Sequence, residues 1–439
     1  MGTHPDGPAK LRGSGTKLSN HIATSKSDRD LNRKWSQCDT LIKEDIHLPF
    51  IMKIMSIRTT LSLQVHPTKK QAARLHRLDP INYPDSNHKP ELALALTRFE
   101  LLCGFRPAKE IADNLRAFPE FRIVFGERNA RRFEEMMERN VNESSEEAKN
   151  CLAIGFRAMM EAPAALIAKQ LLSLRRRLQC GEIGCLSNDT VKVLLKMQDD
   201  FPGDNGCFSP LYLNHMILEP GECCYYAAEE MHAYLSGECV ECVGCSNNTI
   251  RAALTNKHKD LEILCETLNY RMTDPEHYMI RPNKFPNDNN IDVYDPEDCP
   301  DFALHQIKVD NSIIKQQNYT LPALGCGSIV VIVKGQAKVN DYGTIKRGDI
   351  FYIPPNEKTH MTITGDGPFV AYRTFSYEEG PDHSDATALR DIRTTAGNIN
   401  FAGKLNAACK QDTLKLTGKL NMPKDVNVFD LGMEMDGFC

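Results

Sequence analysis

The chain has 439 residues, enough for two or three domains and for a sizeable core without covalent staples. Its 53 Lys and Arg against 58 Asp and Glu leave a formal charge of −5, a balance that argues against nucleic acid or an anionic membrane as partner. A content of 41% hydrophobic and 25% charged residues excludes global disorder, and no run of about eighteen apolar residues marks a membrane span. Residues 1–10 carry Pro, Asp and Gly where a secretory leader needs an apolar stretch, and Asp6 sits where an acylation motif wants Ser or Thr. Cys439 is the last residue and so cannot be the prenylated cysteine of a four-residue terminal motif. The 16 cysteines, without a leader, read as reduced thiols of a cytoplasmic protein.

In chain order, the stretch to about Lys43, rich in Ser, Thr, Lys and Asp and holding the single tryptophan Trp35, reads as loop or weakly ordered surface. An apolar run over residues 47–56 follows, short enough for a buried strand. Leu61, Leu63 and Val65 then alternate with Ser62, Gln64 and His66, the period of a strand, and Pro67 closes it. Between about 107 and 198 the texture turns helical. Leu152, Phe156 and Met159 fall at helical spacing, as do Ile167, Leu171, Leu174 and Leu178, and Pro163 suits a first turn. Arg175, Arg176 and Arg177 read as the solvated face of that block. Residues 211–222 form a strand ending in a Pro-Gly turn. From 328 to 375, short strands punctuated by Gly335, Gly348-Asp349 and Pro354-Pro355 suggest a jelly roll or another small barrel. Beyond about Asp385 this rhythm is lost in a tail of uncertain order.

Gln64 and His66 share one face of their strand, because side chains two apart point the same way; the plain alternative is a polar, solvated side. Asn87-His-Lys-Pro-Glu91 is a dense polar cluster just before an apolar stretch, and His232 follows a turn and precedes apolar positions. One amide, two imidazoles and a carboxylate are compatible with an open Lewis-acid site, in which donors stand about 2 Å from a zinc ion. Cys239-Val-Glu-Cys-Val-Gly-Cys245 holds two overlapping Cys-x-x-Cys steps. An iron–sulfur run would continue with Cys and Pro where Thr249 and Ile250 stand, and a structural zinc would need Cys223, Cys224 or a more distant thiol, so these read as small buried cysteines in β structure. Arg251, between apolar neighbours, is either a surface or ion-paired side chain or, inside a pocket, suited to a phosphate or a developing enediolate. Lys53, Lys89 and Lys257 read singly as solvated lysines, and His360 as a loop histidine without a ligand role.

The chain resembles the type I, zinc-dependent mannose-6-phosphate isomerase (phosphomannose isomerase) family. The likeness runs from Met1 to about Phe375. It is carried by Gly2-Thr-His-Pro, Leu61-Ser-Leu-Gln-Val-His-Pro, Tyr83-Pro-Asp-Ser-Asn-His-Lys-Pro-Glu, Leu101-Leu-Cys-Gly-Phe-Arg-Pro, Phe201-Pro-Gly-Asp and His232-Ala-Tyr-Leu-Ser-Gly, in the same order and rough spacing. The resemblance implies an α+β, mainly β chain: a cupin-type jelly-roll catalytic domain, an inserted helical domain and a second cupin-like barrel. The implied boundaries are 1–106 and 201–260 for the catalytic domain, 107–200 for the insert, 261–384 for the second barrel and 385–439 for the tail. It implies one zinc per chain on Gln64, His66, Glu91 and His232. Arg251 matches the family's active-site arginine, Lys53 and Ser62 match positions associated with the sugar phosphate, and Lys89, Glu241 and Lys257 match further pocket residues. The segment of Cys239 and Cys242 is cysteine-bearing in the family without binding metal.

The implied reaction interconverts mannose 6-phosphate and fructose 6-phosphate through a cis-enediol(ate), feeding GDP-mannose and glycan synthesis. Glu241, Lys89 and a zinc-bound water stay open as the proton carrier. The expected partner is a small sugar phosphate, with neither nucleic acid nor membrane, and the expected state is a monomer. The chain departs from the family in several places. It starts at the Gly-Thr-His-Pro motif, without the usual preceding segment and its Tyr-Ala-Trp-Gly element, so strands that help close the catalytic barrel are expected to be missing. Asn247 stands for Asp, Ala253 for Gly, Asn256 for Pro, Glu229 for Asn and Met231 for Pro, and the tail has no counterpart. Two other readings follow: a catalytically impaired sugar-phosphate-binding protein, and a cupin iron oxygenase, since two His and a carboxylate also suit ferrous iron.

Overall fold

A computed structural model describes residues 1–24, 48–311, 316–339 and 342–376, together with the backbone of 414–416. The chain is α+β and mainly β, built from antiparallel sheets. β1 (Phe50–Ile57) and β2 (Leu63–Val65) form where the apolar run and the alternating segment predict strands. β3 (Glu91–Ala95) and β4 (Phe99–Phe105) follow, then a helical block, then β5 (Leu213–Leu218), β6 (Cys223–Tyr226), β7 (His232–Gly244) and β8 (Ile250–Ala253). β4 and β5 are antiparallel neighbours, Phe99 opposite Leu218, so the helices are inserted between two adjacent strands of one sheet. β9 (Met279–Ile280) adds to the sheet beside β6.

β7 organises this first sheet. Its early residues pair with β2 and β4, its later ones with β1 and β3. The change of partners occurs at Gly237, whose φ of 99° lies in the left-handed region and where any side chain would run into the carbonyl of Arg98. β1 and β3 read as apolar runs rather than alternations because both of their faces are covered. Met55, Ala93, Cys224 and Cys239 point into the first sheet's own interior. Phe50, Met52, Leu92, Leu94 and Cys242 pack against Ile329, Val331, Tyr352 and Tyr372 of a second pair of sheets.

That second unit comprises β10 (Asn283–Phe285), β11 (Asp288–Tyr294), β12 (Ala303–Val309), β13 (Gln316–Leu321), β14 (Ser328–Lys334), β15 (Gln336–Val339), β16 (Gly343–Lys346), β17 (Ile350–Ile353), β18 (Thr359–Thr364) and β19 (Phe369–Phe375). One sheet runs β10-β11-β12-β19-β14-β17, the other β13-β18-β15-β16, and a shared apolar core lies between them. β20 (Leu414–Leu416) pairs with β17, so a short piece of the tail is strand; the rest of 385–439 lies outside the described residues. His360 is not a loop residue: it stands on the exposed side of β18, 3.0 Å from Thr320 Oγ1.

Two other expectations need correction. Leu18–Thr24 is a helix rather than loop, because Leu18 and Ile22, one turn apart, are both buried against the core that includes Phe50 and Met52. Trp35 lies outside the described residues. Nor is the arginine run simply solvated. Arg177 Nε reaches the buried Glu120 at 3.1 Å and Arg175 reaches Asp199 at 2.8 Å, which leaves Arg176 exposed. Helices fill 108–200 as the periodicity predicts, with Ser145 and Ser187 capping Glu146–Met160 and Asn188–Asp200. Pro163 precedes Ala164–Gln179 as its cap. Among the described residues no single helix is long and apolar enough to cross a membrane.

Candidate active site

The strand pairing explains how distant motifs meet. Gln64 on β2 lies opposite His232 on β7 and opposite Arg251 on β8, and residues directly opposite present their side chains on the same face. His66, two residues beyond Gln64, points the same way. Glu91 opens β3 opposite Val243. Thus His66 Nε2 lies 3.1 Å from Glu91 Oε1, His232 Nε2 lies 3.6 Å from Glu91 Oε2, and the Gln64 amide lies 3.5 and 3.3 Å from the two Nε2 atoms. Four donors at about 2.05 Å from a tetrahedral zinc are separated by about 3.3 Å. These residues therefore fit such an ion with little adjustment.

The orientation of each group is held from behind. His66 Nδ1 lies 2.7 Å from the carbonyl of Asn248, and His232 Nδ1 lies 3.0 Å from that of Glu230. A ring nitrogen facing a carbonyl must carry the proton, so both Nε2 atoms offer lone pairs to the centre. Burial, reinforced by the nearby Lys89, pushes His66 down to about 4, and burial likewise lowers His232, so both rings are neutral as ligands must be. Burial alone would raise the Glu91 carboxyl, but the adjacent Lys89 ammonium opposes it and the group is held well below the usual range. The Gln64 amide presents Nε2 to the rings, while Ser62 Oγ donates to its Oε1 at 2.9 Å. A half-turn of the amide would present oxygen instead, and the Ser62 hydroxyl can equally accept from the nitrogen.

Glu91 is further gripped by Lys89 Nζ at 2.9 Å on Oε1 and by the Tyr226 hydroxyl at 2.9 Å on Oε2. An ionised carboxylate only accepts, so the Tyr226 proton goes to Glu91, and the Tyr234 hydroxyl, 2.7 Å away, donates to Tyr226. The loop behind His66 is knotted around Asp85. Asn248 Nδ2 donates to Asp85 Oδ1 and to the Asn87 carbonyl, Ser246 Oγ donates to Asp85 Oδ1, and the Asn247 backbone N–H donates to Asp85 Oδ2. Asn247, where the family carries Asp, donates through Nδ2 to Asp6 Oδ2 at 2.7 Å. An aspartate here would oppose one carboxylate with another.

Lys53 and Glu241 are opposite on β1 and β7 and ion-paired at 2.6 Å, on the inward face shared with Glu91. Buried Ser62 stands at the edge of the donor cluster, and Lys257 lies on the exposed loop after β8, apart from the buried donors. The structure thus brings together Gln64, His66, Glu91, His232, Lys89 and Ser62, and sets Arg251 opposite Gln64. Tyr226, Tyr234, Asn248, Asp85 and Glu230 were not found from the sequence. Only Tyr234 carried a usable signal, standing two residues from His232 on one strand. Cys239 and Cys242 cannot chelate one ion, because residues three apart on a strand point to opposite faces; Cys239 faces the inner core and Cys242 the second unit. Among the described residues the group of His, Cys, Asp and Glu able to hold a metal is His66, Glu91 and His232.

Residues 1–108 match the family model for the catalytic domain of type I phosphomannose isomerase, and residues 124–213 match that for its helical insertion domain. The mannose-6-phosphate isomerases of Homo sapiens and Bos taurus are each 34% identical over 382 residues, 85% of this chain and 87% of theirs. The chain belongs to the type I phosphomannose isomerase family. As a member it is an enzyme of the aldose–ketose isomerase class. The mannose-6-phosphate isomerase of Candida glabrata is likewise 34% identical, over 393 residues covering 85% of this chain and 88% of that one. A solved structure of a single-residue variant of phosphomannose isomerase from Salmonella typhimurium shares the fold, with a TM-score of 0.69 at 22% identity over 86% of this chain and 90% of that one. The helical insert between β4 and β5 is therefore a family feature.

Proposed function

We propose that this isomerase interconverts mannose 6-phosphate and fructose 6-phosphate through a cis-enediol(ate), with one zinc ion per chain held by Gln64, His66, Glu91 and His232. In this reading it supplies mannose phosphate for nucleotide-sugar and glycan synthesis. The observation that carries the reading is the convergence of two imidazole nitrogens and a carboxylate within 4.8 Å of one another in a buried site. Neutral imidazoles with oxygen donors suit zinc, which when bound supplies Lewis-acid charge where negative charge develops on the sugar oxygens.

The chain's own residues account for the rest. Arg251, opposite Gln64, supplies a permanent planar cation for the phosphate or the enediolate, a charge that matters most as the proton leaves. Lys53 is the first partner for the phosphate, with Ser62, next to Gln64, and Lys257, at the exposed rim, as further partners. When the phosphate draws Lys53 away, its partner Glu241 is left as an unshared carboxylate on the inward face, suited to move a proton between C1 and C2. Lys89 is the alternative carrier, although its ammonium is engaged at 2.9 Å with Glu91. Solvent exchange at the transferred hydrogen, compared in Glu241→Gln and Lys89→Met, separates the two. Neither the oxygenase nor the binding-only reading finds support among the relatives.

Metal analysis combined with a coupled mannose 6-phosphate assay tests the whole reading. Zinc near one per chain with turnover is expected. Iron with oxygen consumption, or sugar-phosphate binding without turnover, would overturn it.

A further inference from the structure

The interior of the second pair of sheets has the opposite electrical character to the first. His305 on β12, Arg373 on β19 and Val330 on β14 lie opposite one another in register and share the inward face. Ser328, Phe375 and, from the facing sheet, Thr359 belong to the same end of this interior. Arg373 is fully buried. Its Nε donates to Ser328 Oγ at 2.8 Å and its Nη1 to the Pro322 carbonyl at 2.6 Å, but its Nη2 meets no acceptor. Among the described residues no carboxylate pairs with it.

Two more polar atoms at this end lack partners: His305 Nδ1 and Thr359 Oγ1, in side chains 1% and 3% exposed. The His305 ring is wedged edge-on between Phe285 and Phe375, with centroids at 5.3 and 4.6 Å, so it cannot swing out to find one. Burial and the charge of Arg373 keep this imidazole neutral, which leaves Nδ1 free to carry a proton. A buried cation without countercharge and two idle neighbouring donors are costly as they stand, and an anion resolves all three at once.

We infer that this interior binds one small monovalent inorganic anion of the halide class, received by Arg373 Nη2, His305 Nδ1 and Thr359 Oγ1. A monatomic anion suits the place. It accepts donors from any direction, needs no opening for an organic tail, and tolerates the apolar walls of Val330, Leu321 and Phe375. The site is separate from the proposed zinc centre, whose electrical sense it reverses.

Bromide tests this on the unmodified chain. Crystals grown in bromide and measured at the bromine edge should show an anomalous peak in contact with Arg373 Nη2. In solution the unfolding temperature should rise saturably with chloride or bromide at constant ionic strength, and His305→Phe should raise the half-saturating halide concentration at least tenfold. Arg373→Met risks misfolding, which is why the diffraction signal and the His305 variant carry the decision. Water-like density without anomalous signal overturns the proposal. So does a halide response that is unsaturable or identical in His305→Phe, or a tetrahedral oxyanion occupying the position instead.

Discussion

Removing one hydroxyl, in Tyr226→Phe, isolates what orients the proposed metal-binding carboxylate. Tyr226 donates to Glu91 Oε2 at 2.9 Å, and both side chains are buried, so no water can replace the bond. Phenylalanine keeps the ring that packs on His232 at a centroid distance of 4.2 Å. A hydrogen bond to a charged acceptor contributes about 1.5–3 kcal/mol, which converts to roughly 10- to 150-fold in affinity. Outer hydrogen bonds of metal ligands show losses of roughly 10- to 100-fold when removed. The Tyr234 hydroxyl, 2.7 Å from Tyr226, would also lose its acceptor, so Tyr234→Phe should weaken metal binding less than Tyr226→Phe. The assay is chelator competition on the reconstituted protein, with circular dichroism as the check on folding. Zinc retention as tight as in the unmodified chain would refute the role given to this hydroxyl.

Arg251→Ala should lower turnover by roughly 10²-fold or more with zinc content intact, since its charge acts on the substrate; normal turnover removes it from that role. His66→Ala should lose metal, measured by elemental analysis, and unchanged occupancy would contradict the ligand set. Lys53→Met leaves the buried Glu241 without its partner at 2.6 Å and should cost about 3 kcal/mol in urea unfolding, most of it restored by the added Glu241→Gln. Burial lowers both His66 and His215 to about 4 from an unfolded value of 6.5. Above 6.5 neither state of the metal-free protein takes up these protons. Between 6.5 and 4 only the unfolded chain does, so stability should fall as pH falls through this window, and below 4 these two rings cause no further loss. Urea midpoints at pH 7.5 and pH 5 check it, and an unchanged midpoint would contradict the burial of these rings.

The sequence reveals elements better than partners. The strand at Leu63 to Val65 and the helical spacing of Leu171, Leu174 and Leu178 are local consequences of backbone geometry, and both appear in the structure, although Ser62 and His66, on the polar side of the alternation, are buried. The four metal donors are legible as chemistry from their residue types and the motifs that carry them, but their convergence depends on pairings such as Gln64 with His232, 168 residues apart. What supports the donors is less legible still. The Asn248 and Glu230 carbonyls act through backbone atoms that every residue possesses, so side-chain identity carries no signal for them. The misread arginine run has the same cause: Glu120, which engages Arg177, lies more than fifty residues earlier on another helix.

β7 shows why the second unit matters to chemistry it does not perform. Odd and even residues of one strand serve different masters: Glu241 faces the inner cavity, while Val240 and Cys242 press against the core that includes Ile329 and Tyr352. The Cys242 thiol also meets Thr374 Oγ1 at 3.0 Å, on the strand that carries Arg373 one residue earlier. A strand covered on both sides cannot slip by one residue without exchanging its cavity face for its apolar one. The pairing that sets Glu91 opposite Val243 is therefore enforced from the opposite face of the sheet. Core substitutions behind β7, at Ile329 or Tyr352, should accordingly disturb the geometry of the donors even though they touch none of them.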